Sequence, residues 1–243
     1  MARRPARRPA GKTAARAPRP ASAAAPTAPT TDREKIIAAF LALLADERFE
    51  SIGLAEVAGQ AGVSLAQLRD EFPSTLAIVA AHIKATDRAV LAADVTDMAE
   101  EPERERLFDV LMRRLEILAP HRDAVRSLLR SARRDPAFAL ALNGLVVRSQ
   151  QWMLTAAGIG SSGPRGMARA QGLAMLFASV LRTWVDDDDP GQARTMAALD
   201  RALGRGQRLL GLMEDVCAIP ARLFRLRPRR RRRGEDYEEA APV

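Results

Sequence analysis

LAEVAGQAGVSLAQLRDEF, residues 54–72, reads as helix, tight turn, helix. Leu54, Val57 and Ala58 fall at i, i+3 and i+4, one apolar face of a first helix. Gly62 supplies the turn, because a residue without Cβ enters the left-handed conformation freely. Ser64 is placed to cap a second helix, its hydroxyl accepting from the free N–H groups of the first turn. Leu68 and Phe72 anchor that helix four residues apart. In a module of this plan the second helix enters the DNA major groove and turns its outward side chains to base edges. The charge runs against the plan. Residues 32–72 hold eight acids, Asp70 and Glu71 among them, against four bases, Arg33, Lys35, Arg48 and Arg69. A surface meant for phosphates is expected to carry the opposite balance.

Composition explains where the basic charge went. The 243 residues carry a formal net charge of +8. Residues 1–31 alone contribute +7 and residues 222–243 contribute +4, leaving −3 on everything between. The first of these tails is Pro, Ala and Arg with nothing to bury, a composition that predicts disorder. Its twin arginines are not followed by the apolar stretch of a secretion signal. The arginine run 229–233 reads the same way, ahead of an acidic end. Either tail can meet the phosphates of nucleic acid or of an anionic membrane, or simply keep the chain soluble. No run reaches the roughly 18–20 apolar residues of a membrane span. A single cysteine, Cys217, excludes an internal disulfide and fits the cytoplasm.

Aromatics are only 4% of the chain and the apolar periodicity is helical throughout, so the expected fold is all-α. Thr31 opens TDRE, a capping box, and Ile36, Ile37, Phe40, Leu41 and Leu44 form the core stripe behind it. A fourth helix starts near Ser74 and runs past Val90. Leu107, Leu111, Leu115 and Leu118 mark the next, stopped by Pro120. Val125, Leu128, Leu129 and Ala132 mark another, with Arg126, Arg130, Arg133 and Arg134 mostly outward. Pro136 opens a helix through Phe138, Leu142, Leu145 and Trp152, and GIGSSGPRG (158–166) is a loop. GLAMLFASVLRTWV (172–185) is apolar nearly all round and so is expected to be buried on several sides, ending at the aspartates 186–189. In the last helix Met196, Leu199, Leu203, Gly206, Leu210 and Met213 alternate steps of 3 and 4. That is a seam for a second helix, either within the chain or from a partner; a homodimer is the preferred reading.

Residues 32–80 resemble the N-terminal domain of the TetR family of one-component regulators. The resemblance rests on TDREKIIAAFLALLA (31–45), VAGQAGVS (57–64) and AQLRDEFPS (66–74), and the helical layout agrees to about residue 216. It implies a dimer in which a three-helix DNA reader is followed by a helical ligand-binding and dimerisation domain with an apolar pocket. Ligand binding then shifts the paired readers off their operator. The implied organisation is a tail over 1–31, a helix-turn-helix domain over 32–80, a ligand and dimer domain over 81–216, and a tail over 217–243. Ser64, Leu65, Ala66, Gln67, Arg69 and Thr75 are the implied DNA-facing set. The family usually carries tyrosine at Arg69, an aromatic phosphate contact at Glu71, lysine at Thr75 and threonine at Gly53, so this reader departs from the pattern at four places. Gln67 remains suited to adenine and Arg69 to guanine.

The second half is similar to a different group on the same scaffold. RLEILAPH (114–121), the Trp152 helix, and WVDDDDP (184–190) followed by MAALDRAL (196–203) resemble the ubiquinone-biosynthesis lipid-binding proteins. That likeness implies an isoprenoid in the pocket, no DNA binding, and a terminal amphipathic segment at a membrane, here Ile219, Leu223, Phe224 and Leu226 among arginines. Two functions follow: a dimeric regulator responding to an apolar small molecule, or a lipid-binding accessory protein. In either, the pocket would draw on Leu111, Leu115, Phe138, Leu142, Trp152, Met175, Phe177 and Leu181, and the dimer on Met196, Leu199, Leu203, Leu210 and Met213. No catalytic or metal-binding constellation is expected and no cofactor is called for. His82 and His121 pair with no nucleophile motif, and four consecutive carboxylates diverge where a hard cation needs convergence.

Overall fold

The computed structural model describes residues 31–92 and 100–208. Thr31 opens α1 (Asp32–Asp46) with a reciprocal cap: its Oγ1 accepts from Glu34 N–H at 3.2 Å, and its own N–H donates to the Glu34 carboxylate at 3.2 Å. A 3-10 turn, Phe49–Ser51, leads to α2 (Leu54–Ala61), which stops at Gly62 with φ +66°. That left-handed residue reverses the chain into α3 (Leu65–Glu71). Ser74 caps α4 (Thr75–Leu91). Beyond it lie α5 (Glu103–Leu118), a 3-10 turn Ala119–His121 around Pro120, and α6 (Arg122–Arg134). Asp135 caps α7 (Pro136–Ala156), and α8 (Gly163–Trp184) and α9 (193–208) complete the described chain. All regular structure among the described residues is helical.

Two apolar clusters organise these helices. The first joins α1, α2, α3 and the start of α4 through Ile36, Phe40, Leu44, Val57, Leu68, Phe72 and Ile78. Leu54, expected on that face, is half-exposed instead, because it stands at the first position of α2 where the helix leaves the core. The second cluster holds α5, α7, α8 and α9 together around Leu111, Leu115, Met153, Phe177, Trp184 and Leu199. α6 belongs to both. Its Ala124 and Leu128 pack with the first cluster, and its Val125 and Leu129 with the second. Polar contacts fix the same junction: Ser127 Oγ donates to the Glu47 carbonyl, and Phe49 N–H donates to Ser131 Oγ at 3.3 Å. Phe49 also stacks on Phe138 of α7, ring centroids 4.1 Å apart.

Several expectations for the C-terminal half change in three dimensions. The 158–166 loop is shorter, since α8 already begins at Gly163, with Pro164 suited to a first turn. The 172–185 stretch is not buried on all sides; Gly172, Met175, Ser179 and Arg182 form an exposed stripe along α8. The last-helix seam turns inward, because Leu199 and Leu203 are buried within their own protomer while Met196 remains on the surface. Leu210, Met213 and Cys217 lie outside the described residues, as do both arginine-rich tails and the 219–226 segment. The aspartates at 186–189 do more than end a helix in solvent. Buried Asp187 accepts from Thr195 N–H at 2.9 Å and Thr195 Oγ1 at 2.6 Å, and Asp189 accepts from Gly191 and Ala193 N–H. Together they cap α9, and the Thr195 hydroxyl holds the Asp187 carboxyl below its ordinary pKa.

Candidate functional site

Two features stand out: the exposed second helix of the helix-turn-helix, α3, and a cavity between α4, α5, α6, α7 and α8. Ser64 Oγ accepts from Gln67 N–H at 3.2 Å, and the Gln67 carboxamide oxygen accepts from Ser64 N–H at 2.8 Å, so α3 begins with a complete capping box. Leu68 and Phe72 bury the inner face. Ser64, Leu65, Ala66, Gln67 and Arg69 are therefore all exposed, and Leu65 keeps 57% of its surface in solvent. Thr75 stands nearby, half-buried at the first position of α4.

The local electrostatics differ from the bare charge count. Glu71 is not a lone repelling carboxylate, because Arg33 of α1 reaches it at 3.1 Å while lying 4.5 Å above the Phe72 ring. Asp32 is likewise engaged, by Lys35 at 2.9 Å and by Gln67 Nε2 at 3.0 Å. Asp70 forms no ion pair among the described residues. One expectation is narrowed in consequence. With its oxygen in the cap and its nitrogen on Asp32, Gln67 can meet adenine only by releasing those bonds. Arg69, by contrast, is held only by a long 3.5 Å bond to the Pro73 carbonyl.

The cavity, about 290 Å³, lies between α4, α5, α6, α7 and α8. Apolar side chains supply most of its wall: Val79 and Ile83 from α4, Leu128 and Leu129 from α6, Leu142 and Val146 from α7, Phe177 and Leu181 from α8. Of the eight pocket residues expected from sequence, Leu142, Phe177 and Leu181 line it. Leu111 and Leu115 are buried in the solid core, and Phe138 packs on Phe49 at the junction. Trp152 and Met175 point to solvent, each more than half exposed, because they fall on the outer faces of α7 and α8. Apolar periodicity identifies residues that avoid water; it does not separate those that touch a void from those that touch one another.

The buried polar residues of the cavity wall are not among those expected from sequence. Arg114 and Asp87 form a buried ion pair, with Ser149 Oγ donating to the same Asp87 oxygen at 2.7 Å. Gln150 is fully buried and its carboxamide has no hydrogen-bond partner among the described residues. Arg114 Nε and His82 Nε2 are in the same condition, and all three residues line the cavity. Burial, then the neighbouring His121 and Arg114, holds the His82 imidazole pKa down to about 4. A signal for these residues was present. Arg114 sits in step with Leu107, Leu111 and Leu118, and Gln150 in step with Val147 and Leu154, so each is a polar residue on an apolar stripe.

No family model and no curated protein matches the chain. Solved structures do match. A TetR transcriptional regulator from Nitrosomonas europaea ATCC 19718 is 22% identical, with a TM-score of 0.57 over 72% of this chain and 97% of that one. A TetR transcriptional regulator from Rhodococcus sp. RHA1 is 21% identical, with a TM-score of 0.53 over 72% and 95%. The chain thus has the fold of these regulators. No described helix is long and apolar enough to cross a membrane.

Proposed function

We propose that this protein is a DNA-binding transcriptional regulator of the TetR type, acting as a dimer and released from its operator by a small molecule with an apolar body. The observation that carries the reading is the exposed, capped α3 of a complete helix-turn-helix, on the fold of TetR transcriptional regulators. Leu65 and Ala66 offer apolar contact to thymine methyl groups, Arg69 a bidentate donor for guanine, and Thr75 a hydroxyl for phosphate, while the Ser64 hydroxyl, its proton on Gln67 Oε1, serves the cap. The reader itself is poor in free cations, so phosphate affinity falls to the arginine-rich tails, as with the flexible arms of other DNA-binding modules. Regulation follows from shared walls. α4 carries the reader at its N-terminal end and lines the cavity farther along, while α6 lines the cavity with one face and braces α1 with the other. A ligand that wedges these helices apart tilts the reader. The exposed stripe of α8 is the surface for the second copy, whose two-fold pairing would set the spacing of the two readers. Such a regulator works in the cytoplasm.

The test is fluorescence anisotropy of the full chain with DNA from its own upstream region at low salt, against a shuffled duplex. A preference for the native segment of tenfold or more is expected, lost in Arg69→Ala, with affinity falling steeply as salt rises. Equal binding to both duplexes, unchanged by Arg69→Ala, would assign all affinity to the tails and sink the reading.

A further inference from the structure

The unpartnered polar groups in the cavity wall specify the chemistry of what it holds; this rests on taking the cavity as the effector site. An empty apolar pocket needs no polar groups, and burying a carboxamide with neither end bonded is costly. Gln150 does so from α7, and Arg114 Nε from α5 and His82 Nε2 from α4 are likewise without a partner among the described residues, all three residues lining the same cavity. Their requirements differ. Gln150 Nε2 and Arg114 Nε are donors that want an acceptor, whereas Gln150 Oε1 is an acceptor that wants a donor. One head group carrying both functions satisfies both ends of the Gln150 carboxamide, and its acceptor also suits Arg114 Nε.

Charge decides between a neutral and an anionic head. The Arg114 guanidinium is already balanced by Asp87, within the same buried network. A carboxylate driven in beside it would leave a net negative charge in a poorly solvated place. His82 cannot supply a compensating proton near neutral pH, since burial keeps its ring neutral. Two further arginines line the cavity, Arg133 of α6 and Arg182 of α8, and both side chains are solvent-exposed. A carboxylate held there would turn its apolar tail inward against Gln150 and leave the carboxamide unsatisfied. Asn143, also on the wall, is already exchanging hydrogen bonds with Gln171 at 3.0 and 3.2 Å.

We propose that the cavity takes a neutral ligand with an apolar body and one head group that both accepts and donates hydrogen bonds, such as a carboxamide or a hydroxy-carbonyl, seated on Gln150 and Arg114. Gln150 is the specificity-determining residue: its donor and acceptor pass over esters, which cannot donate, and hydrocarbons, which can do neither.

Isothermal titration calorimetry of the full chain at pH 7.5 with octanamide, methyl octanoate, sodium octanoate and n-octane tests this. Octanamide is expected to bind at least about tenfold more tightly than methyl octanoate, with octanoate weaker still. Gln150→Leu, close to isosteric, is expected to cut octanamide affinity about tenfold and change methyl octanoate less than threefold. Its thermal melt should not fall, because an unpaired buried amide is replaced by carbon. The wild-type ranking stands without the variant. Octanoate as the tightest binder, or equal affinity for all four probes, overturns the neutral-head proposal and leaves the cavity as an effector site. Absence of binding by every probe at millimolar concentration overturns both.

Discussion

His82 and His121 meet edge to face, ring centroids 5.1 Å apart, and burial is the main reason each prefers its neutral form. Folding therefore keeps a proton off His82 that the unfolded chain accepts as pH falls through about 6.5. Stability from this residue is complete above that value and is lost progressively toward about 4, where the folded protein also takes the proton. The loss amounts to roughly 3 kcal/mol over the window. Urea midpoints at pH 7.5, 6 and 4.5 should drop more steeply in the wild type than in His82→Leu; parallel slopes would show that His82 contributes nothing. At this scale the sequence was readable where a residue's job is local. The Thr31 and Ser64 caps and the Gly62 turn are each set by neighbours within four residues. The partner of Glu71, Arg33, was not legible locally because it comes from 38 residues away. The second partner of Gln67, Asp32, is likewise on another helix and so not legible from neighbouring sequence.

Elements stop and start where backbone sterics and caps dictate, and the α7–α8 connection shows how tightly. Gly166, in the first turn of α8, packs so closely on the preceding loop that a methyl group there would overlap the Ser161 backbone. Gly166→Ala should therefore destabilise the protein by about 1–3 kcal/mol, although alanine favours helices generally, and thermal unfolding will show it. A gain in melting temperature would mean that the loop moves aside. The sequence placed this segment in one long loop because Gly, Ser and Pro are read as breakers. The same Pro and Gly are tolerated in a first helical turn, where the N–H groups have no intrahelical partner. Helix identities were readable throughout from the 3.6-residue repeat. Asp187 was less so, since nothing in a run of four aspartates tells which one folds back to cap a helix that starts several residues later.

The assembled molecule sorts surfaces that one-dimensional periodicity cannot. Leu199 and Leu203 carry the spacing of a coiled-coil seam, yet they complete the protomer's own core. Much of the exposed apolar surface among the described residues is on α7 and α8, where Leu140, Trp152, Met167 and Met175 face solvent. If the dimer forms there, Met175→Arg shifts sedimentation toward monomer by at least tenfold in dissociation constant, while Leu199→Ala lowers the unfolding free energy by about 2–4 kcal/mol without favouring the monomer. The reverse pattern would return the seam to α9. One further property belongs to the molecule as a whole. On the proposed function, α6, wall to the cavity and brace to α1, is the element both sites would bias, and such coupling is reciprocal. If the ligand weakens operator binding by a given factor, the operator must weaken ligand binding by that same factor. The sensor is then least receptive while seated on DNA, and signal enters mainly through the pool of protein that is momentarily unbound.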